Sequence, residues 1–341
     1  MVWLFALLVI APTVFGYFIV VKSTDRFEPE PFWLLAAAFL WGAVVATLLA
    51  LIGNALGEGA LSAALGAGVT DELVQRSTAS FVAPFVEETT KGTGLLLLWM
   101  VSAFFLRELD GALDGAIYGG VIGLGFTLTE DVLYVSRAGE QGGFGAFFTV
   151  FVLRTLFSGL GHASFTAMTG LGVGIAAEAA RGPLKLLAPI GGWMAAVGLH
   201  MVHNFLVTFL YRDGSGLGLK LAVFWLFDAL FFVVILVLAV RDRAIVLRGL
   251  TDEAGRLLHP KELSRTTSYW MLVPLWNFMA LNGSPGGYQR SRRKQLDLIE
   301  LAFLKQRRRR GENDAALETV ERGLRERIWL ANQAGVFIGP R

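Results

Sequence analysis

The sequence predicts an all-α protein: a polytopic membrane helix bundle of seven or eight spans followed by a basic helical tail. Three observations carry this. Of the 341 residues 54% are hydrophobic and only 17% charged, with a mean hydropathy of +0.56, far from a soluble composition. Apolar runs of roughly 20 residues, the length needed to cross a bilayer, recur along the first 240 positions. Charge then changes sign: residues 1–240 hold 11 Lys and Arg against 17 Asp and Glu, and residues 241–341 hold 19 against 11.

The runs lie at about 2–21, 32–52, 79–105, 115–135, 146–177, 187–211 and 217–240. The first lacks the basic start of a secretory signal and reads as a retained helix. The fifth is over-long, rich in glycine and carries Arg154, so it reads as a broken helix or as two spans, which makes eight. The 53–78 connection is rich in Gly and Ala and has room for an interfacial helix.

Two domains follow: a transmembrane bundle over 1–240 and a tail over 241–341. The tail's basic excess assigns it to the cytoplasmic side of a multi-pass protein in the cell membrane. Within it 269–281 is too short to span and reads as interfacial or re-entrant, while 289–310 and 313–333 read as charged amphipathic helices. The run Arg307–Arg310 suits anionic lipid or a solvated face. Nucleic acid is not an expected partner for a membrane-tethered tail with 11 acids.

The third run holds the unusual feature. Glu87, Glu88 and Lys91 fall inside a hydrocarbon-length segment, where a charge costs on the order of 2.5–3.5 kcal/mol and is kept chiefly when paired or functional. On a helix Lys91 lies i+4 from Glu87 and i+3 from Glu88, so one lysine can face both acids. Glu130 stands near the end of the fourth run, and His200, His203 and Asn204 share one face of the sixth. Starts of odd spans and ends of even spans meet the same side, so these groups converge on one leaflet. His162 is less secure in depth, because its helix start is not evident. Asp131 is expected at the interface, and Arg154 and Asp228 read as lone charges that pair with each other or snorkel.

Such a set suits hydrolysis of a peptide bond. Glu87 or Glu88 can activate water, while His200 and the Asn204 amide can stabilise the oxyanion. Glutamate and histidine, with His162, His200 and Glu130 as candidate ligands, could instead hold a divalent metal such as zinc. The sequence leaves both open. There are no cysteines, hence no thiolate nucleophile or thiolate metal site, and no HExxH motif. Neither Ser158 nor Ser164 has the context of a nucleophile. A proton- or cation-coupled transporter would use a buried Glu/His/Lys set as well, and a non-catalytic scaffold would use the tail.

The motifs Glu87-Glu88-x-x-Lys91, Gly125-Phe126-x-x-x-Glu130, Gly161-His162 and His200-x-x-x-Asn204 resemble those of the PrsW family of intramembrane proteases, relatives of the type II CAAX prenyl endopeptidases. The resemblance covers about 1–240. It implies a helical catalytic bundle that cleaves membrane-anchored substrates such as anti-sigma factors, with Glu87, Glu88, Glu130, His162 and His200 as site residues. Two features depart from the prenyl endopeptidase pattern. Lys91 stands where that group has an arginine one residue later, and Glu130 where it has a histidine.

Overall fold

The computed structural model describes residues 1–66, 68–103, 108–179, 181–210, 217–270, 285–312 and 315–339. Apart from an isolated bridge between Ala254 and Leu258, its regular structure is helical. The chain divides into two compact units, the first Met1–Ser23 with Glu30–Ile235, the second Thr24–Pro29 with Leu236–Arg341.

The first unit begins with α1 (Val2–Lys22) and α2 (Phe32–Leu40). A π-helical turn at Trp41–Ala46 carries α2 without interruption into α3 (Thr47–Leu65), and Thr47 Oγ1 donates across it to the Gly42 carbonyl at 2.9 Å. The second expected run, 32–52, is thereby extended to Leu65. The short α4 (Asp71–Ser77) starts where the Thr70 hydroxyl accepts from the Leu73 N–H, a helix N-cap. A second π turn, Thr78–Val82, leads into α5 (Ala83–Val101), which has proline in its first turn.

Then come α6 (Ala112–Val150), kinked at Gly143 where φ is 69°, a π turn at Phe151–Leu156, α7 (Gly161–Glu178) and α8 (Leu184–Phe205). The long α9 (Leu217–Leu250) runs from the first unit into the second. The over-long fifth run is indeed broken: its helix ends in the π turn and resumes at Gly161, so His162 sits in a first turn.

Contact between α6 and α7 depends on missing side chains. A Cβ at Gly119 would lie 2.5 Å from the Thr166 carbonyl oxygen and one at Gly123 would lie 2.4 Å from that of His162. Small residues four apart let membrane helices approach backbone to backbone, and here they bring the start of α7 against the first third of α6.

By length and composition, five helical stretches among the described residues can cross a membrane: Val2–Lys22, Phe32–Leu65, Ala112–Glu178, Leu184–Phe209 and Leu221–Glu253. The expected fourth and fifth spans merge in the 67-residue stretch Ala112–Glu178. The expected third, α5, is outside this set because Glu87, Glu88 and Lys91 interrupt its apolar run. Seven or eight separate spans are therefore not what this criterion finds.

In the second unit α10 (Pro260–Thr266) is capped reciprocally by His259 and Glu262, and α11 (Pro285–Arg309) and α12 (Ala315–Gln333) occupy the places of the two expected amphipathic helices. Phe27, Val246, Leu250, Leu298, Leu324 and Ile328 share its apolar core. Arg307 pairs with Glu312 at 3.0 Å and Arg308 with Glu321 at 2.6 Å, so part of the basic run is neutralised locally. Of the expected interfacial segment 269–281, residues 271–281 lie outside the described residues.

Candidate active site

The three charges of α5 are buried together. Glu88 and Lys91 are wholly inaccessible and Glu87 is 5% exposed. Lys91 Nζ lies 2.9 Å from Glu88 Oε1 and 3.6 Å from Glu87 Oε2, as the i+3 and i+4 spacing requires, and 3.8 Å from the centre of the Phe126 ring. The two glutamates differ sharply in their surroundings. Glu88 Oε1 accepts from Lys91 and from His200 Nδ1 at 3.0 Å, and its Oε2 accepts from Thr166 Oγ1 at 2.9 Å. Glu87 Oε1 accepts from Asn54 Nδ2 at 3.3 Å, and its buried Oε2 has no hydrogen-bond partner. A buried acceptor left in that state costs about 1–3 kcal/mol.

Both imidazoles are held from behind. With Nδ1 on Glu88, His200 turns Nε2 toward Glu87 Oε2, 3.9 Å away. His162 faces Glu130 Oε2 through Nε2 at 2.6 Å and has Nδ1 3.1 Å from Lys91 Nζ. The two rings stand edge to face with centres 5.1 Å apart. Glu87, His162, His200, Glu88 and Lys91, from α5, α7 and α8, are thus one cluster.

Glu130 meets the cluster at His162, and its Oε2 is also 2.7 Å from Arg154. Two expectations are corrected here. Asp131 is buried, 2% exposed, and accepts from Arg154 Nε at 2.8 Å and from Thr155 at 2.9 Å. Arg154 reaches it from the π turn at Phe151–Leu156. Arg154 therefore pairs with Glu130 and Asp131, while Asp228 lies 3.4 Å from the Ser164 hydroxyl.

Asn204 is not brought onto the reacting atoms: its Nδ2 donates to the Ala79 carbonyl at 2.8 Å and its Oδ1 meets His203 Nδ1 at 2.9 Å. Sequence reasoning missed Asn54 and Thr166. Thr166 stands i+4 from His162 and so shares its face, a spacing that could have found it. Asn54 sits just past the end of the second expected run, and its only signal is an amide between Gly53 and Gly57. A Cβ on either glycine would meet Val86 or Val82 at 2.5 or 2.3 Å, so α3 lies close along the start of α5 and sets Asn54 over Glu87.

The donor chemistry fits a divalent metal. One ligand atom each from Glu87, His162 and His200 lie within 4.8 Å of one another, and an imidazole backed by a carboxylate on its far nitrogen is how metal-binding histidines are usually held. One carboxylate with two imidazoles is a donor set found at catalytic zinc. The group the structure gathers has Glu87 where the sequence suggested Glu130.

A family model described as PrsW family intramembrane metalloprotease matches residues 30–239. A protein named Protease PrsW, from Geobacillus kaustophilus (strain HTA426), is 25% identical over 204 residues, which cover 59% of this chain and 79% of that one. No solved structure matches.

Proposed function

The chain belongs to the PrsW family of intramembrane metalloproteases, and from that membership and the geometry of the cluster we propose that it hydrolyses peptide bonds of membrane-anchored proteins, with Glu87, His162 and His200 at the reaction centre. The buried Oε2 of Glu87, which accepts no hydrogen bond, carries this reading. It is a carboxylate oxygen with no hydrogen bond, set 3.6 Å from the Lys91 ammonium and 3.9 Å from an imidazole, in a site where Glu88 accepts on both of its oxygens.

Glu87 takes the proton from the attacking water and returns it to the leaving amine, while Asn54 holds its other oxygen. Glu88 has no oxygen to spare, so its part is to fix the His200 ring. Glu130, braced by Arg154, does the same for His162. Of the three grouped donors, His162 and His200 would hold a divalent metal such as zinc, and Glu87 would stand next to it as the base and not as a ligand. When bound, such a metal polarises the scissile carbonyl and lowers the pKa of its water towards about 7. Lys91 keeps the buried acids close to charge balance. Asn204, tied to Ala79, anchors α8 and so the depth of His200.

Substrates of the regulatory, anti-sigma-factor kind follow from the family resemblance. We assign residues 241–341 to the cytoplasmic side of the cell membrane on their basic excess, where the basic run Arg307–Arg310 can meet anionic lipid.

The test is cleavage of a single-span substrate by the protein in liposomes. Wild type should cut it, chelation should stop the reaction and zinc should restore it. Glu87→Gln and His200→Ala should each leave the substrate intact with the fold retained. Full activity in both variants would reject the assignment.

A further inference from the structure

The hydrogen bonds of the two imidazoles fix where each carries its proton. A lysine ammonium only donates, so His162 Nδ1, 3.1 Å from Lys91 Nζ, accepts from it. The ring proton of His162 is then on Nε2, which donates to Glu130 Oε2 at 2.6 Å. His200 has the opposite arrangement. Its Nδ1–H donates to the Glu88 carboxylate at 3.0 Å, which leaves the lone pair on Nε2, on the side of Glu87.

A metal ion binds a neutral imidazole through its lone pair. His162 has one such pair, on Nδ1, and it is directed at Lys91. The ammonium itself is seated among the acids, 2.9 Å from Glu88 Oε1 and 3.6 Å from Glu87 Oε2, with the Phe126 ring centre 3.8 Å away. Its side chain is fully buried, so it cannot give up His162 by turning into solvent.

We infer that Lys91 competes with the metal: its ammonium and a divalent ion are alternative partners of the single lone pair on His162 Nδ1, so Lys91 sets how tightly zinc is held. The inference rests on the proposed metal centre and adds to it the residue that limits its occupancy. Two effects act in the same direction. The metal needs an atom that Lys91 holds, and a buried ammonium repels a nearby divalent cation in surroundings that screen poorly. Glu88 Oε1 accepts from the ammonium independently of His162, which gives Lys91 a partner to keep when Nδ1 is released. A centre built in this way gives up its metal more readily than the same two imidazoles without the lysine.

Zinc binding to the full-length protein in detergent, followed by calorimetry, tests this. Wild type should bind zinc and His200→Ala should not. Lys91→Met should bind it more tightly than wild type by about 10–100-fold, the range over which outer-shell partners change metal affinity. Lys91→Gln keeps a donor for Glu88, which supports the fold if the methionine variant is unstable, and should also bind more tightly than wild type. Most of the gain from Lys91→Met should vanish in a His162→Ala background, where no lone pair is left to compete for. Folded lysine variants that bind zinc no more tightly than wild type, or a gain of the same size with and without His162, overturn the competition and leave the metal centre standing. Absence of zinc binding in wild type and in both lysine variants overturns the metal centre and the competition with it.

Discussion

Glu88 and His200, 112 positions apart in the sequence, meet at 3.0 Å between Oε1 and Nδ1 in a site that excludes solvent from both. The bond fixes which nitrogen of His200 faces Glu87, and Thr166 and Lys91 occupy what remains of the Glu88 carboxylate. Glu88→Gln keeps the shape but turns one acceptor into a donor, so one of those three donors loses its partner. Loss of a group that orients an imidazole lowers activity by about 10–100-fold. Glu88→Gln is therefore expected to retain measurable turnover where Glu87→Gln retains none, as read by initial rates on one substrate. Equal loss in both would put the two glutamates in the same role.

Lys91 is the positive charge among these acids. Lys91→Met leaves Glu88 buried without its cation, and breaking a buried pair from one side costs about 3–5 kcal/mol. Thermal unfolding in detergent should show a clear fall for the variant in the presence of chelator. Added zinc should restore part of it, since a divalent cation replaces the missing charge. A variant as stable as wild type under chelation would contradict the pairing.

Outside the spans, Asp25 gives a pH dependence. Burial, with Asp242 adding to it, pushes its carboxyl from 3.8 up to about 7, against the N–H groups of Glu28 and Phe27 that it accepts from. The folded state then holds the proton more tightly than the unfolded one. Stability that is fully present below about pH 4 is lost as pH rises through about 7, by about 1.4 kcal/mol for each pH step between those two values. Asp25→Asn keeps the acceptor oxygen and cannot ionise. It should unfold at a higher temperature than wild type at pH 8 and at nearly the same temperature at pH 4. No difference at pH 8 would remove Asp25 from the account of stability.

Much of the centre is legible in the sequence because helical spacing is local. Glu87, Glu88 and Lys91 at i, i+1 and i+4 had to share a turn, and three charges in an apolar run had to be buried against something. The helix bundle follows from composition in the same way. The distinct surroundings of Glu87 and Glu88 are not legible, since they are set by Thr166, His200 and Asn54 on three other helices. Nor is the depth of His162: the glycines and Arg154 announce a break in the fifth run, but not that it falls at 157–160, just before His162. The partners of Arg154 are hidden for the same reason: the π turn, invisible in composition, aims it at Glu130 and Asp131 rather than at Asp228.

Cleavage rates for Glu87→Gln, His200→Ala and the double variant, all on one reconstituted single-span substrate, test most directly whether these residues form one reaction centre. Residues that act as a unit are strongly non-additive, so each single variant should be as inactive as the pair, with unfolding profiles close to wild type. Full activity in Glu87→Gln, or modest losses that simply multiply in the double variant, would contradict a shared centre.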